Sequence, residues 1–126
     1  MSSRIDFGKK GEDAAVGLLE SRGYKILERN FKVKLGEIDI IALDGDTICF
    51  VEVKTRASED FGGALGAISS HKQHKISQTA LCYLKLKHML ERKARFDVAS
   101  VTKDSFGALK VEILKDAFEL SALYGY

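Results

Sequence analysis

Proline is absent from this 126-residue chain, so its 11 glycines must do most of the punctuation. Cysteine is scarce. Cys49 and Cys82 make neither a CxxC pair nor a disulfide framework. Two isolated thiols, read as buried apolar residues, suit a reducing cytoplasm. No His/Cys ligand spacing supports a structural zinc site. No apolar run approaches the ~20 residues that cross a bilayer. The opening "MSSRIDFGKKGEDAA" lacks the apolar core of a secretory signal. These absences predict a cytoplasmic protein with no membrane partner. Charge of one sign is also missing: the net charge is only +2, which by itself does not argue for nucleic acid.

What is present is the composition of one globular domain spanning 1–126, with 45% hydrophobic and 30% charged residues. Basic residues gather in "HKQHK" (71–75) and "KLKHMLERKAR" (85–95), while Asp104, Glu112, Asp116 and Glu119 place acid toward the C-terminus. Such runs are commonly solvated faces. Residues 8–22 read as a helix stopped by Gly23. Residues 24–34, 37–43 and 46–56 read as strands, the last two joined by an Asp-Gly hairpin signal. Residues 57–68 hold three glycines and read as a mobile loop. Residues 69–92 read as a helix capped by Ser69 or Ser70, with Ile76, Ala80, Tyr83, Leu84 and Leu90 as its apolar stripe. Strands at 95–101 and 108–114 and a terminal helix near 116–124 follow. The order α-β-β-β-α-β-β predicts an α/β or α+β fold, a mixed sheet flanked by helices.

Charged residues interrupt the most apolar strands. In "GEIDIIALDGDTICFVEVKTR" (36–56), alternation puts Glu37, Asp39 and Ile41 on one face of the second strand. It puts Ile48, Phe50, Glu52 and Lys54 on one face of the third. With Asp44-Gly45 as the loop, Glu37 lies opposite Glu52. With Gly45-Asp46 as the loop, Asp39 does. Either turn unites the four charges, whereas a three-residue loop separates them. Opposed carboxylates must take up a proton or hold a cation. On the first helix, ~100° per residue places Glu12 between Leu19 and Val16 in the apolar arc, with Asp13 and Glu20 outward. A cluster of hard oxygen ligands beside a lysine suits Mg²⁺, and a metal-activated water suits attack on a phosphodiester. Lys54, two residues beyond Glu52 on the same face, could position the water or stabilise the developing charge.

Plainer alternatives stand beside each residue. Asp39 and Glu52 could flank Lys54 as ion pairs. Glu37 could be a solvated strand end, and Glu12 could pair with Lys9. Lys54 could snorkel to water. Lys72 leaves the polar face of its helix in the first turn, where free N–H groups attract phosphate, or else lines the core's rim. Arg56 ends its strand, either near a phosphate or in solvent. Arg95 and Asp97 share a strand face and could pair with each other.

The spacing of thirteen positions from Asp39 in "GEID" to Glu52 in "EVK" resembles the PD-(D/E)XK nuclease motif. Asp39 matches its first acid, Glu52-Val53-Lys54 its E-x-K, and Glu12 the acid that many members carry on the first helix. The proline is replaced by Ile38. Residues 8 to about 101 resemble more closely the YraN-like uncharacterised family of small bacterial proteins, whose members resemble archaeal Holliday-junction resolvases. The segments are "GKKGEDAAVGLLESRGYKILERNF", "GEIDIIALDGDTICFVEVKTR", the lysine of "SSHKQHKISQTALCYL", and "RFDVASV". The resemblance implies a restriction-endonuclease-like core and Mg²⁺- or Mn²⁺-dependent endonuclease action on DNA, including branched DNA. It implies Asp39 and Glu52 as metal ligands, Glu12 as an auxiliary ligand and Lys54 as catalytic. Position along the elements adds Glu37 as a candidate further ligand, and Lys72 and Arg56 as candidate nucleic-acid contacts. Resolvases of this type work as homodimers, although no dimer surface stands out here. Two alternatives carry no cleavage. One is a nucleic-acid-binding or assembly module with a nuclease-like site. The other is an interaction module using Phe118, Leu120, Leu123 and Tyr124.

Overall fold

A computed structural model describes residues 3–56 and 68–120. Helix α1 (Ser3–Ser21) leads into strands β1 (Lys25–Val33), β2 (Gly36–Asp44) and β3 (Thr47–Arg56). Helix α2 (Ser70–Leu86) and strands β4 (Ala94–Lys103) and β5 (Leu109–Phe118) follow. The five strands lie in sequence order in one sheet, antiparallel except for the parallel β3–β4 pair joined across α2. This is the mixed α/β architecture and element order predicted from the sequence.

The unbroken run "ICFV" in β3 has a simple cause: both faces of the sheet are covered. Ile48 and Phe50 join Ile76, Ala80, Tyr83 and Leu84 of α2. Cys49 and Val51 join Ala15 and Leu19 of α1. Tyr83 meets Phe31 and Phe50 edge-on, with ring centroids 5.1 and 6.0 Å apart. Among the described residues, no helix is long and apolar enough to cross a membrane.

Both helix ends follow one device. At α1, Gly23 (φ +90°) turns the chain so that Tyr24 N–H reaches Leu19 O at 3.0 Å and Gly23 N–H reaches Glu20 O at 3.0 Å. At α2, His88 (φ +57°) takes the glycine's place: Met89 N–H reaches Leu84 O at 2.7 Å and His88 N–H reaches Lys85 O at 3.2 Å. These are Schellman closures. The second one corrects the expected extent of α2. The helix stops at Leu86 rather than at residue 92, because a non-glycine residue adopts the left-handed turn, and Leu90 leaves the stripe at 55% exposure. Ser69 caps α2, accepting from Lys72 N–H at 3.1 Å.

Three other expectations change. Helix α1 begins at Ser3 rather than at residue 8, running through Gly8 and Gly11. Gly11 permits a close approach rather than breaking the helix: a Cβ there would lie 2.3 Å from Thr55 Cγ2. Residues 116–118 continue β5 instead of starting a helix, and Phe118 stacks on Phe96 with centroids 4.9 Å apart. Leu123 and Tyr124, like residues 57–67 of the expected loop, lie outside the described residues. Cys49 is buried as expected, but Cys82 only partly so; both are free thiols.

Candidate active site

The β2–β3 register decides the turn. Asp44 pairs with Thr47, so Gly45-Asp46 is the loop, with Gly45 at φ +64°. This is the alternative that sets Asp39 opposite Glu52. The paired register ends one step earlier, at Ile40↔Val51. Beyond it the Asp39 carboxylate itself accepts from Val53 N–H at 2.8 Å. A side chain thus replaces a ladder acceptor, which satisfies a backbone donor at a sheet opening.

The opening continues on the other side of β2. Asn30 falls between the registered pairs Arg29↔Ile40 and Phe31↔Ile38, opposite Asp39, and adopts φ +53°. Strict alternation slips here. Ile38 and Ile41 both pack on the α2 side, whereas Ile40 packs on the α1 side. The uniform face expected for Glu37, Asp39 and Ile41 is therefore not kept, because the strand is distorted at Asp39. Two clefts meet at the distortion. One, about 400 Å³, is lined by Lys9, Glu12, Asn30, Glu37, Asp39 and Thr55. The other, about 490 Å³, is lined by Glu37, Asp39, Glu52, His71, Lys72 and Lys75. Glu37 and Asp39 belong to both.

The Asp39 and Glu52 carboxyls are close enough to act on each other. Burial first, then the Glu52 charge, push the Asp39 carboxyl up to about 7, against the lowering effect of the Val53 N–H. Glu52 is buried, and its Oε2 lies 2.6 Å from Lys72 Nζ. Burial works against the Lys72 charge, but the hydrogen bond to Glu52 and the charges of Glu52, Asp39 and Glu37 outweigh it and raise its pKa. Lys72, expected at a phosphate or at the core's rim, has its ammonium on Glu52 in the fold.

Glu12 faces inward as expected, with its side chain 14% exposed. Its partner is not Lys9. Arg29 Nη2 donates to Glu12 Oε1 at 3.0 Å and to Asp13 Oδ1 at 2.6 Å, and Asn30 Nδ2 approaches Glu12 Oε1 at 3.3 Å. Arg29 and Asn30 were not singled out from the sequence. The available signal was an asparagine within an otherwise extended run, a residue type that tolerates the left-handed region. Glu37 is exposed at the cleft rim, and Lys54 and Arg56 follow Glu52 along β3, partly exposed. By register Lys54 lies beside Ser100 and Arg56 beside Thr102 of β4.

Arg95 and Asp97 do pair, away from this site. Arg95 Nε donates to both Asp97 oxygens at 3.0 and 3.1 Å, and its Nη2 reaches Tyr24 Oη and Asp44 Oδ2 at 2.9 Å each. This network closes around a fully buried carboxylate, and we read it as structural.

The donor set at Asp39 and Glu52 fits a hard divalent cation: two desolvated carboxylates share one opening, and their repulsion is what such an ion relieves. As they stand, no three acidic, His or Cys side chains among the described residues converge into a closed cage. Glu12 is held aside by Arg29 and Asn30.

A protein of Syntrophus aciditrophicus (strain SB) is 47% identical over 121 residues, covering 96% of this chain and 94% of its own length. One of Geobacter metallireducens is 51% identical over 114 residues, covering 90% and 93%. Both are described as UPF0102 proteins. Among solved structures, SfsA of Pyrococcus furiosus in complex with Ca²⁺ aligns at 14% identity and a TM-score of 0.43, over 88% of this chain and 63% of that one. The family model for uncharacterised protein family UPF0102 matches residues 11–101, a span that holds Glu12, Glu37, Asp39, Glu52, Lys54, Arg56 and Lys72. On that match and those relatives, this chain belongs to family UPF0102.

Proposed function

We propose that the protein is a divalent-metal-dependent endonuclease that hydrolyses DNA phosphodiester bonds, with branched or otherwise structured DNA as its substrate class. The observation that carries this reading is the Asp39–Glu52 carboxylate pair, held across an opened strand pair with the Asp39 carboxyl raised to about 7. A carboxyl raised so far by burial and a neighbouring acid, lying in a cleft, is a common mark of a functional site.

Asp39 and Glu52 are the ligands in this reading, for Mg²⁺ or Mn²⁺. A bound ion of this kind neutralises phosphate charge and acidifies a water. Glu12 and Glu37, which line a cleft with Asp39, orient water around the site. Lys54, on the Glu52 face of β3, stabilises charge developing on the phosphate. Arg56 at the strand end, with Lys9, His71 and Lys75 of the two clefts, holds the backbone of the substrate. The unpaired thiols fit a reducing cytoplasm. Two copies acting together suit a substrate with paired strands to cut.

A second reading has its own observation. Arg29 and Asn30 engage Glu12, and Lys72 engages Glu52, an arrangement that also suits a nucleic-acid-binding or assembly module without cleavage.

One experiment separates the two readings. Single-stranded, duplex, flap and four-way-junction DNA are incubated with Mg²⁺ or Mn²⁺ and with wild type, Asp39→Asn or Glu52→Gln. Metal-dependent cutting by wild type alone supports the nuclease. Binding without cutting by all three supports the module.

A further inference from the structure

We propose that Lys72 is the cation this acidic site carries before a divalent ion arrives, and that an ion entering at Asp39 and Glu52 displaces the Lys72 ammonium. The proposal rests on the metal-dependent reading above. It concerns how the site stays folded without metal and what the metal must compete with.

The geometry is asymmetric. Lys72 Nζ lies 2.6 Å from Glu52 Oε2, but the Glu52 side chain is 7% exposed and that of Lys72 is 53% exposed. The carboxylate is fixed by burial on β3; the lysine stem reaches it from the open cleft. The backbone of Lys72 is held separately, its N–H on the Ser69 cap. Its side chain can therefore swing away without disturbing α2. The space it would enter is the cleft shared with His71 and Lys75.

The charges give the reason for an ammonium at this place. Glu37, Asp39 and Glu52 all bear on Lys72. Without it, the buried Glu52 would face Asp39 with no counter-charge, a costly state for a desolvated carboxylate. Lys72 Nζ holds one of the two Glu52 oxygens, and an ammonium there repels a divalent ion a few ångströms away. Lys72 therefore competes with the ion for Glu52, and its departure favours entry.

A purely structural lysine and a displaceable one make opposite predictions. If Lys72 only shapes the site, its loss weakens metal binding. If it competes, its loss tightens binding. Mn²⁺ is titrated by calorimetry into wild type, Lys72→Met, Lys72→Arg and Lys75→Met, each checked for folding by circular dichroism. Lys72→Met is expected to bind Mn²⁺ about tenfold more tightly, the scale of one charge-assisted hydrogen bond. Its metal-free form melts lower, and Mn²⁺ raises its melting temperature by more than in wild type. Lys72→Arg keeps the charge and stays close to wild type. Lys75→Met, in the same cleft but not on Glu52, changes affinity by about twofold or less, as for a screened surface charge. Should Lys72→Met misfold without metal, Lys72→Gln is measured in its place. Equal or weaker Mn²⁺ binding by the folded variant overturns the proposal and leaves the metal site standing. So does an equal gain from Lys75→Met. No Mn²⁺ binding by wild type or any variant overturns the metal-dependent reading as well.

Discussion

Asp39 is the residue on which the site turns, and its titration has a definite sign. Its carboxyl stands at about 7 in the fold, against 3.8 as the ordinary value. A raised carboxyl favours the protonated form in the folded state. Its contribution to stability is fully present below about pH 4 and is lost as pH rises through 7. Asparagine imitates the protonated acid. Metal-free Asp39→Asn should match wild type near pH 4 and be more stable at pH 8, with the gap opening between those values. Denaturant melts across pH check this; a constant gap would mean that Asp39 does not titrate in that window. Lys54 makes the second prediction at this scale. Lys54→Met keeps the aliphatic stem and removes the charge, so the fold and metal binding should persist. Single-turnover cleavage should fall by on the order of 10²-fold, as for a lost electrostatic stabiliser. Equal rates would remove Lys54 from the chemistry.

At the scale of elements, side chains repair places where regular structure stops. His88 closes α2 in a left-handed conformation usually given to glycine. His88→Gly should raise stability by about 1 kcal/mol, the strain of an L-residue there. An unchanged urea midpoint would show that the histidine ring recovers that strain elsewhere. The β4–β5 register shifts between Phe96 and Val98, and Asp116 N–H turns to Asp97 Oδ1 at 2.8 Å. Asp97 repairs a ladder as Asp39 does, but with Arg95 beside it. Asp97→Ala should therefore destabilise by about 3 kcal/mol or more, since Arg95 loses a buried partner. The two aspartates, both accepting from a backbone N–H, are thus expected to respond to neutralisation in opposite directions. The difference lies in the neighbouring charge: Glu52 for one, Arg95 for the other.

At the scale of the whole molecule, the two helices sit on opposite sides of one sheet, and each brings a cleft to the gap at Asp39. A net charge of +2 provides little general attraction for DNA. On the proposed function, DNA is held by cations at the clefts, such as Lys9 and Lys75. Affinity for duplex DNA should fall steeply with salt. Lys9→Ala or Lys75→Ala should make the log–log slope shallower by about 0.9 for each phosphate no longer neutralised. Fluorescence anisotropy over a salt series measures this. An affinity independent of salt would argue against backbone binding through either cleft.

Local pattern was enough to determine a good part of this protein. Gly23 ends α1, a serine at 69 or 70 starts α2, and apolar runs bounded by turn residues form the strands in the observed order, because turns, caps and periodicity act over a few residues. The pairing of Asp39 with Glu52 was legible as one of two turn alternatives, since register in a hairpin follows from its loop. Tertiary structure chose between them through the Asp44↔Thr47 pair. It alone decided that Ile38 and Ile41 share a side, that Asn30 adopts φ +53° opposite Asp39, and that Glu12 meets Arg29 while Lys72 meets Glu52. Each of these depends on packing between segments distant in sequence. Alternation along a strand says which side a residue should take, but not where the ladder opens or which charge from another element enters the opening.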